Sequence, residues 1–332
     1  DQGGLAAARR THEHGDVPAA HFEVDAFQHL QARTAIPEAF RNALHAGGEL
    51  VPPFGVFDAV AKGDVEMGHS ASYYWREKSP ATPFFCTVPF GLTAAEMNGW
   101  LYHGGGMELW RELYARFELV PFAAGNTGLQ LAGWFNREIN SPRDLKGLRM
   151  RIPGLGGDVL ARAGAQPVAV AGSELYTAMR DGTIDACEWL GPFNDLKMEL
   201  FRAAKYCYYP GWHEPGATIE CFVQRKAWDA LPDDLQAVVA ACCQAANLDL
   251  HARYVAADAE ARETLATQHQ VQFRRLPASV LALLRKESDA LLAELAASDA
   301  FTRRVHESFA AFRDRARAWH TPADVAYYEA RG

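Results

Sequence analysis

One eleven-residue pattern occurs twice in the chain, and it limits the fold more than any other feature. Phe57-Asp-Ala-Val-Ala-Lys-Gly-Asp-Val-Glu-Met67 is matched by Tyr176-Thr-Ala-Met-Arg-Asp-Gly-Thr-Ile-Asp-Ala186. Aromatic, alanine, glycine, β-branched and acidic residues recur at the same spacings. Each copy reads as a helix, a glycine stop and a strand. A loop containing Trp75 or Trp189 follows. Helix–glycine–strand units are common, so coincidence is one reading. The other is two matched α/β halves whose loops face one crevice, as in bilobal binding proteins.

The rest of the chain is consistent with two α/β halves. A length of 332 residues suits two domains or one large one. Strands are expected at Leu119–Ala124, 148–152, Gln166–Val170, Thr183–Trp189 and 218–224. Helices alternate with them, which predicts α/β with a largely parallel sheet. Trp134-Phe135 reads as the start of a turn region, Ser173 as the cap of a helix over 174–180, and Gly191–Asn194 as a loop. From Pro232 the pattern is helical to about Ala318, broken by a short strand near Val271–Arg274. Residues 1 to about 46 are rich in Ala, Arg and His, and only Phe22–Phe27 looks like a strand. Their histidines fit no compact ligand set, so a metal tract there is not expected.

The stretch Asp144–Leu160 carries the strongest site signal. Over 148–152 apolar and basic residues alternate, so Arg149 and Arg151 share one strand face. Pro153 and Gly154 end the strand, and a helix is expected to open at Asp158. Arg151 thus sits at a strand's C-terminal tip just before a helix, where ligands bind in open α/β sheets. A planar guanidinium there suits a carboxylate. The alternative is a surface arginine on an edge strand.

Other chemistries are poorly supported. Gly154-x-Gly156 lacks the third glycine of a dinucleotide fingerprint, since Val159 stands there. G-x-S-x-G, Walker A and H-E-x-x-H motifs are absent. The six cysteines form no C-x-x-C pair, and adjacent Cys242 and Cys243 read as small core residues. The net charge of −8 argues against a nucleic-acid partner, and no apolar run is long enough to span a membrane. The N-terminus has no apolar signal core, so any export signal is expected to lie outside this sequence. Glu188 and Glu214 read either as an acid/base pair or as oxygen ligands for a hard cation, with Gln130 and backbone carbonyls completing the shell. Tyr73, Tyr74, Trp189, Phe193 and Trp212 would line such a pocket, or simply pack.

Several motifs occur in a fixed order: GELVP, FDAVAKGDVEMGHSASYYW, GNTGLQLAGWF, LKGLRMRIPG, GAQPVAVAGSELYTAMRDGTIDACEWLGPFND, GWHEPG, QRKAWDALPDDLQ and AFRDRARAW. With them, from Gly48 to about Tyr328, the chain resembles the solute-binding receptors of TRAP (tripartite ATP-independent periplasmic) transporters. The nearest resemblance is to the 2-oxo-acid and lactate subgroup. It implies a bilobal periplasmic-binding-protein-like fold: two α/β domains joined by hinge strands, a long helix spanning both, and long C-terminal helices. Lobe I would cover 1–124 and lobe II 125–213. Residues 214–332 would return a strand to lobe I and supply the helices.

The resemblance also implies a site. Arg151 matches the carboxylate clamp. Gln130, Glu188, the Trp189 carbonyl and Glu214 match positions that hold a cation, Na⁺ or Ca²⁺, bridging protein and ligand. Tyr74 and Asn126 match pocket positions. A 2-oxo or 2-hydroxy monocarboxylate would be captured in the periplasm and delivered to TRAP permease membrane subunits, with no catalysis; a homodimer is left open. Two departures stand out. Residues 1 to about 46 do not resemble the family's opening strand and helix, and Cys187 stands where a small or hydroxyl residue is expected.

Overall fold

The computed structural model describes residues 45–332, and the strand expected at Phe22–Phe27 lies outside them. Nine strands form two sheets among the described residues. They are β1 (Met67–Ser70), β2 (Leu119–Asn126), β3 (Gly133–Phe135), β4 (Arg149–Arg151), β5 (Gln166–Pro167), β6 (Ala186–Cys187), β7 (Tyr206–Tyr209), β8 (Thr218–Gln224) and β9 (Gln272–Arg275). One sheet has the order β1-β8-β2 and the other β5-β4-β6-β3-β7-β9. Each is the core of a lobe.

The expected largely parallel sheet is not what these residues build. In the smaller sheet β8 runs antiparallel to both β1 and β2. In the larger, β4 is parallel to β5 and β6, and β7 to β9, but β3 opposes β6 and β7. The cause is the double crossing between lobes. Strands β1, β2, β4, β6 and β7 run toward the crevice and end there. The chain then crosses, and β3 and β8 start at the crevice and run away from it. A strand that begins at a crossing must oppose the strands that end there.

Both copies of the repeated pattern fold alike. The Val56–Lys62 helix, Gly63 and β1 correspond to the Leu175–Arg180 helix, Gly182 and β6. Thr93 and Glu96 form a reciprocal capping box at the start of the Ala94–His103 helix. Several local expectations fail. Trp134-Phe135 is strand β3, not a turn, because its backbone is paired on both sides. Ser173 caps nothing: a 3-10 turn, Gly172–Glu174, leads into the helix instead. Pro192 starts the Pro192–Lys197 helix where a loop was expected, its fixed φ suiting a first helical turn. The strands expected at Gln166–Val170 and Thr183–Trp189 shrink to two residues each.

The Asp233–Thr267 helix, 35 residues long, extends about 50 Å. Its Cys243 packs with Val120, Phe122 and Cys221 of the smaller sheet. Further along, Tyr254 meets Phe193, and Leu265 lies in the core of the other lobe beside Trp134 and Cys207. The helix therefore ties the lobes together, as the resemblance implied. The core of the first lobe is dense in aromatics: Phe85 stacks between Trp100 and Trp110 at centroid distances of 5.7 and 5.4 Å. All six cysteines are free; Cys243 is buried and Cys242 half-buried.

Candidate binding site in the crevice

Strand ends deliver the site. The 3-10 turn Ser72–Trp75 follows β1, residues 127–130 follow β2, Ile152 and Pro153 follow β4, and Glu188 and Trp189 follow β6. The crossover 210–217 leads from β7 into β8.

Arg151 ends β4 with its side chain 13% exposed. A single guanidinium nitrogen, Nη1, donates both of its hydrogen bonds: 2.6 Å to Glu188 Oε1 and 2.9 Å to the Glu188 carbonyl. The Nε–Nη2 edge remains open, which is the geometry needed to grip a carboxylate with two parallel bonds. The Trp189 ring lies against the guanidinium at 5.1 Å. That indole sits over Gly172, where a Cβ would come within 2.6 Å of the ring. Arg149, on the same strand face, is already engaged. It binds Asp185 through Nε at 3.1 Å and Nη2 at 2.7 Å, and the Gly182 carbonyl at 2.8 Å. Among the described residues, Arg151 keeps its Nε–Nη2 edge free and Arg149 does not.

Glu188 and Glu214 are both buried. Glu188 Oε2 lies 3.3 Å from His213 Nε2. Glu214 Oε2 accepts from Gln130 Nε2 at 2.7 Å. Burial, with Glu188 nearby, pushes the Glu214 carboxyl above its ordinary range, against the opposing pull of His213 and Arg151. Gln130 Oε1 is buried and has no hydrogen-bond partner among the described residues. An unpartnered buried oxygen beside two buried carboxylates suits a hard cation, whose ligands are oxygens. Among the described residues no three His, Cys, Asp or Glu side chains converge as a metal site. Amide and carbonyl oxygens would therefore have to complete the shell.

The remaining nominated residues differ in role. The Asn126 amide is committed to the scaffold. It donates to Thr218 Oγ1 at 3.2 Å and the Gly216 carbonyl at 3.4 Å, and accepts from the Gly128 amide at 2.9 Å. It joins the end of β2 to the start of β8 beneath the pocket. Tyr74 is 39% exposed, its hydroxyl accepting from Tyr73 at 3.1 Å, with Arg151 and Glu214 close enough to act on it electrostatically. Phe54 meets its ring edge-on at 5.0 Å. Tyr73 packs over Gly154, so the lobes touch at the crevice mouth.

The helix after β4 is Gly154–Arg162, opening four residues before the expected Asp158. Gly154 takes φ +62° to turn the chain off the strand. Gly156 faces the crossover: a Cβ there would stand 2.9 Å from His213 Cβ. Packing accounts for that glycine without any phosphate. The residues missed by sequence reasoning are His213 and Gly172. His213 was legible only as the neighbour of Glu214 in GWHEPG, and Gly172 gave no signal.

Comparison with known proteins follows the same direction. The model of the bacterial extracellular solute-binding protein family 7 (DctP) matches residues 19–299. A monocarboxylate 2-oxoacid-binding periplasmic protein of Nostoc sp. is 42% identical over 290 residues, covering 87% of this chain and 79% of the relative. A TRAP periplasmic solute-binding protein of Pseudoalteromonas atlantica, solved with sodium and pyruvate, is 44% identical; the match covers 83% of this chain and 84% of that one, with a TM-score of 0.79. Its counterpart from Colwellia psychrerythraea, solved with calcium and pyruvate, is also 44% identical, with the same coverages and a TM-score of 0.80.

Proposed function

We propose a function from one premise: the chain belongs to family 7 of the bacterial extracellular solute-binding proteins, and so is a TRAP transporter solute-binding receptor. It captures a small 2-oxo monocarboxylate of the pyruvate type, or the corresponding 2-hydroxy acid, in the crevice between its lobes. It holds the acid with a Na⁺ or Ca²⁺ ion in the periplasm and delivers it unchanged to membrane permease subunits. Binding is the whole of its chemistry.

The observation that carries this reading is the open Nε–Nη2 edge of Arg151 beside the oxygen set of Glu188, Glu214 and Gln130. Arg151 takes the carboxylate. Two buried glutamates would repel an anion, and a cation bound to them reverses that sign. Glu188, Glu214, the Gln130 side-chain oxygen and the Trp189 carbonyl are the groups that would hold it. Such an ion supplies a chelating charge for the carboxylate and the adjacent 2-oxygen. Tyr74 closes the pocket from the other lobe, and Asn126 fixes its floor.

The test is calorimetry with pyruvate on metal-depleted protein, with sodium replaced by a bulky organic cation. Binding should be weak, and should return when Na⁺ or Ca²⁺ is added, because ion and acid each complete the other's site. Full-strength binding without either ion would remove the bridging cation from the proposal. No binding of any 2-oxo or 2-hydroxy acid with both ions present would remove the ligand class.

A further inference from the structure

We propose that His213 is a positioning residue for the anion clamp: it locks the carboxylate of Glu188, which in turn fixes the guanidinium of Arg151 with its two-donor edge outward. This rests on the receptor reading only for the identity of the anion.

Three observations lead there. Glu188 is held at both oxygens, Oε1 by Arg151 at 2.6 Å and Oε2 by His213 at 3.3 Å. An ionised carboxylate only accepts, so with Glu188 paired to Arg151 the His213 ring is assigned the tautomer that donates from Nε2. His213 is also fully enclosed, its side chain 0% exposed. Its Nδ1 has no partner, so among the described residues the Glu188 contact is the imidazole's only hydrogen bond. Finally, the crossover that carries His213 is wedged in place. Gly156 of the helix after Arg151 leaves room for its Cβ, Trp212 packs on Phe90 at 5.8 Å, and the Phe90 amide donates to the Trp212 carbonyl at 2.7 Å. Phe90 belongs to the first lobe and Glu188 to the second. His213 therefore references the clamp to the segment joining the lobes.

Without His213, the carboxylate of Glu188 could rotate about its terminal torsion, which is soft in glutamate. Arg151 Nη1 would keep the Glu188 carbonyl but lose its fixed side-chain acceptor, and about the one remaining bond the guanidinium would sample orientations that do not present Nε and Nη2 together. Partners that orient a binding group typically contribute 10–100-fold when it closes on its ligand.

The experiment uses His213→Leu, which fills the volume without a donor, and His213→Gln, whose amide nitrogen can stand where Nε2 stood. The first readout needs no ligand. The guanidinium N–H signals of Arg151, assigned by loss in Arg151→Lys, should be resolved in wild type. They should be averaged by rotation in His213→Leu and restored in His213→Gln. The second is calorimetry with pyruvate and Na⁺ or Ca²⁺. His213→Leu should bind about tenfold more weakly, with His213→Gln within a few-fold of wild type. Glu188→Gln by itself weakens binding, because that carboxylate also holds the cation, but in its background His213→Leu should cost no further affinity and no further averaging of the Arg151 signals, because His213 acts through that carboxylate. Unchanged guanidinium signals in His213→Leu would overturn the proposal, whatever ligand the protein takes. So would an equal affinity loss in the Glu188→Gln background, which is what a purely structural histidine would give. If wild type binds no 2-oxo acid, the receptor reading fails and the first readout alone decides on His213.

Discussion

A single nitrogen of Arg151 makes both of its hydrogen bonds to Glu188, and the consequences for mutation follow from that asymmetry. Arg151→Ala removes the clamp but also leaves the buried Glu188 carboxylate without its cation. Breaking a buried pair from one side is itself destabilising by about 3–5 kcal/mol. Arg151→Lys is the cleaner test. An ammonium can still neutralise Glu188, yet it lacks the planar fork. The expected outcome is a protein that melts near wild type but binds pyruvate more weakly by on the order of 2 kcal/mol, read by calorimetry. Wild-type affinity in Arg151→Lys would mean the carboxylate is held elsewhere. Arg151 was nominated by its place at a strand's C-terminal tip, and Glu188, Glu214 and Gln130 as oxygen donors and by the resemblance; the structure brings Arg151 against Glu188 and Gln130 against Glu214. His213 and Gly172 were not legible, since their roles depend on approaches between segments distant in the chain. For Asn126, expected as a pocket contact, the structure shows the amide engaged by the Thr218 hydroxyl, the Gly216 carbonyl and the Gly128 amide.

At the level of elements, β8 does more than cross between lobes. It is the middle strand of its sheet, and its Glu220 is fully buried. Trp75 Nε1 and the Tyr114 hydroxyl each donate to its carboxyl at 2.6 Å. Those bonds pull its pKa down, but burial outweighs them and pushes it up to about 7. Asp195, under Trp134 in the other lobe, is likewise pushed up to about 7 by burial. An acid with a raised folded pKa binds more protons folded than unfolded, so stability falls as pH rises between the unfolded pKa and about 7. Denaturation from pH 5 to pH 8 should therefore show declining stability across that window. Glu220→Gln, whose amide can accept from Trp75 and donate to Tyr114, should flatten the decline and gain on the order of 1–3 kcal/mol at pH 8. A steeper decline in the variant would place the cause elsewhere. Long helices and β8 itself were legible from periodicity and caps. The three-residue β3 was not, and β5 and β6 were expected but too long, because tertiary pairing rather than local pattern decides where so short a strand begins and ends.

For the whole molecule, the repeated helix–glycine–strand pattern suggested two lobes but left coincidence open until the family resemblance was added, whereas strand direction depends on where the chain crosses between the lobes. The crossing also leaves contacts that bridge the crevice. Arg76 follows the turn that carries Tyr73 and Tyr74, and Asp158 lies in the helix that follows Arg151. Their side chains meet at 2.6 Å, each 40% exposed. An exposed ion pair contributes at most about 1 kcal/mol. Here that energy acts on the balance between open and closed lobes, where it corresponds to about a fivefold population shift. Arg76→Glu should therefore speed release of bound pyruvate about fivefold, and more once repulsion from Asp158 is added. Association should change little, because encounter occurs with the lobes apart. Stopped-flow tryptophan fluorescence, with Trp189 beside the clamp as reporter, reads both rates. The exchanged pair, Arg76→Asp with Asp158→Arg, should return release toward the wild-type rate, and rising salt should narrow the gap between wild type and Arg76→Glu. If Arg76→Glu releases pyruvate at the wild-type rate in low salt, the ion pair does not hold the lobes together. Closure would then rest on the aromatic contact of Tyr73 over Gly154 and on the ligand itself.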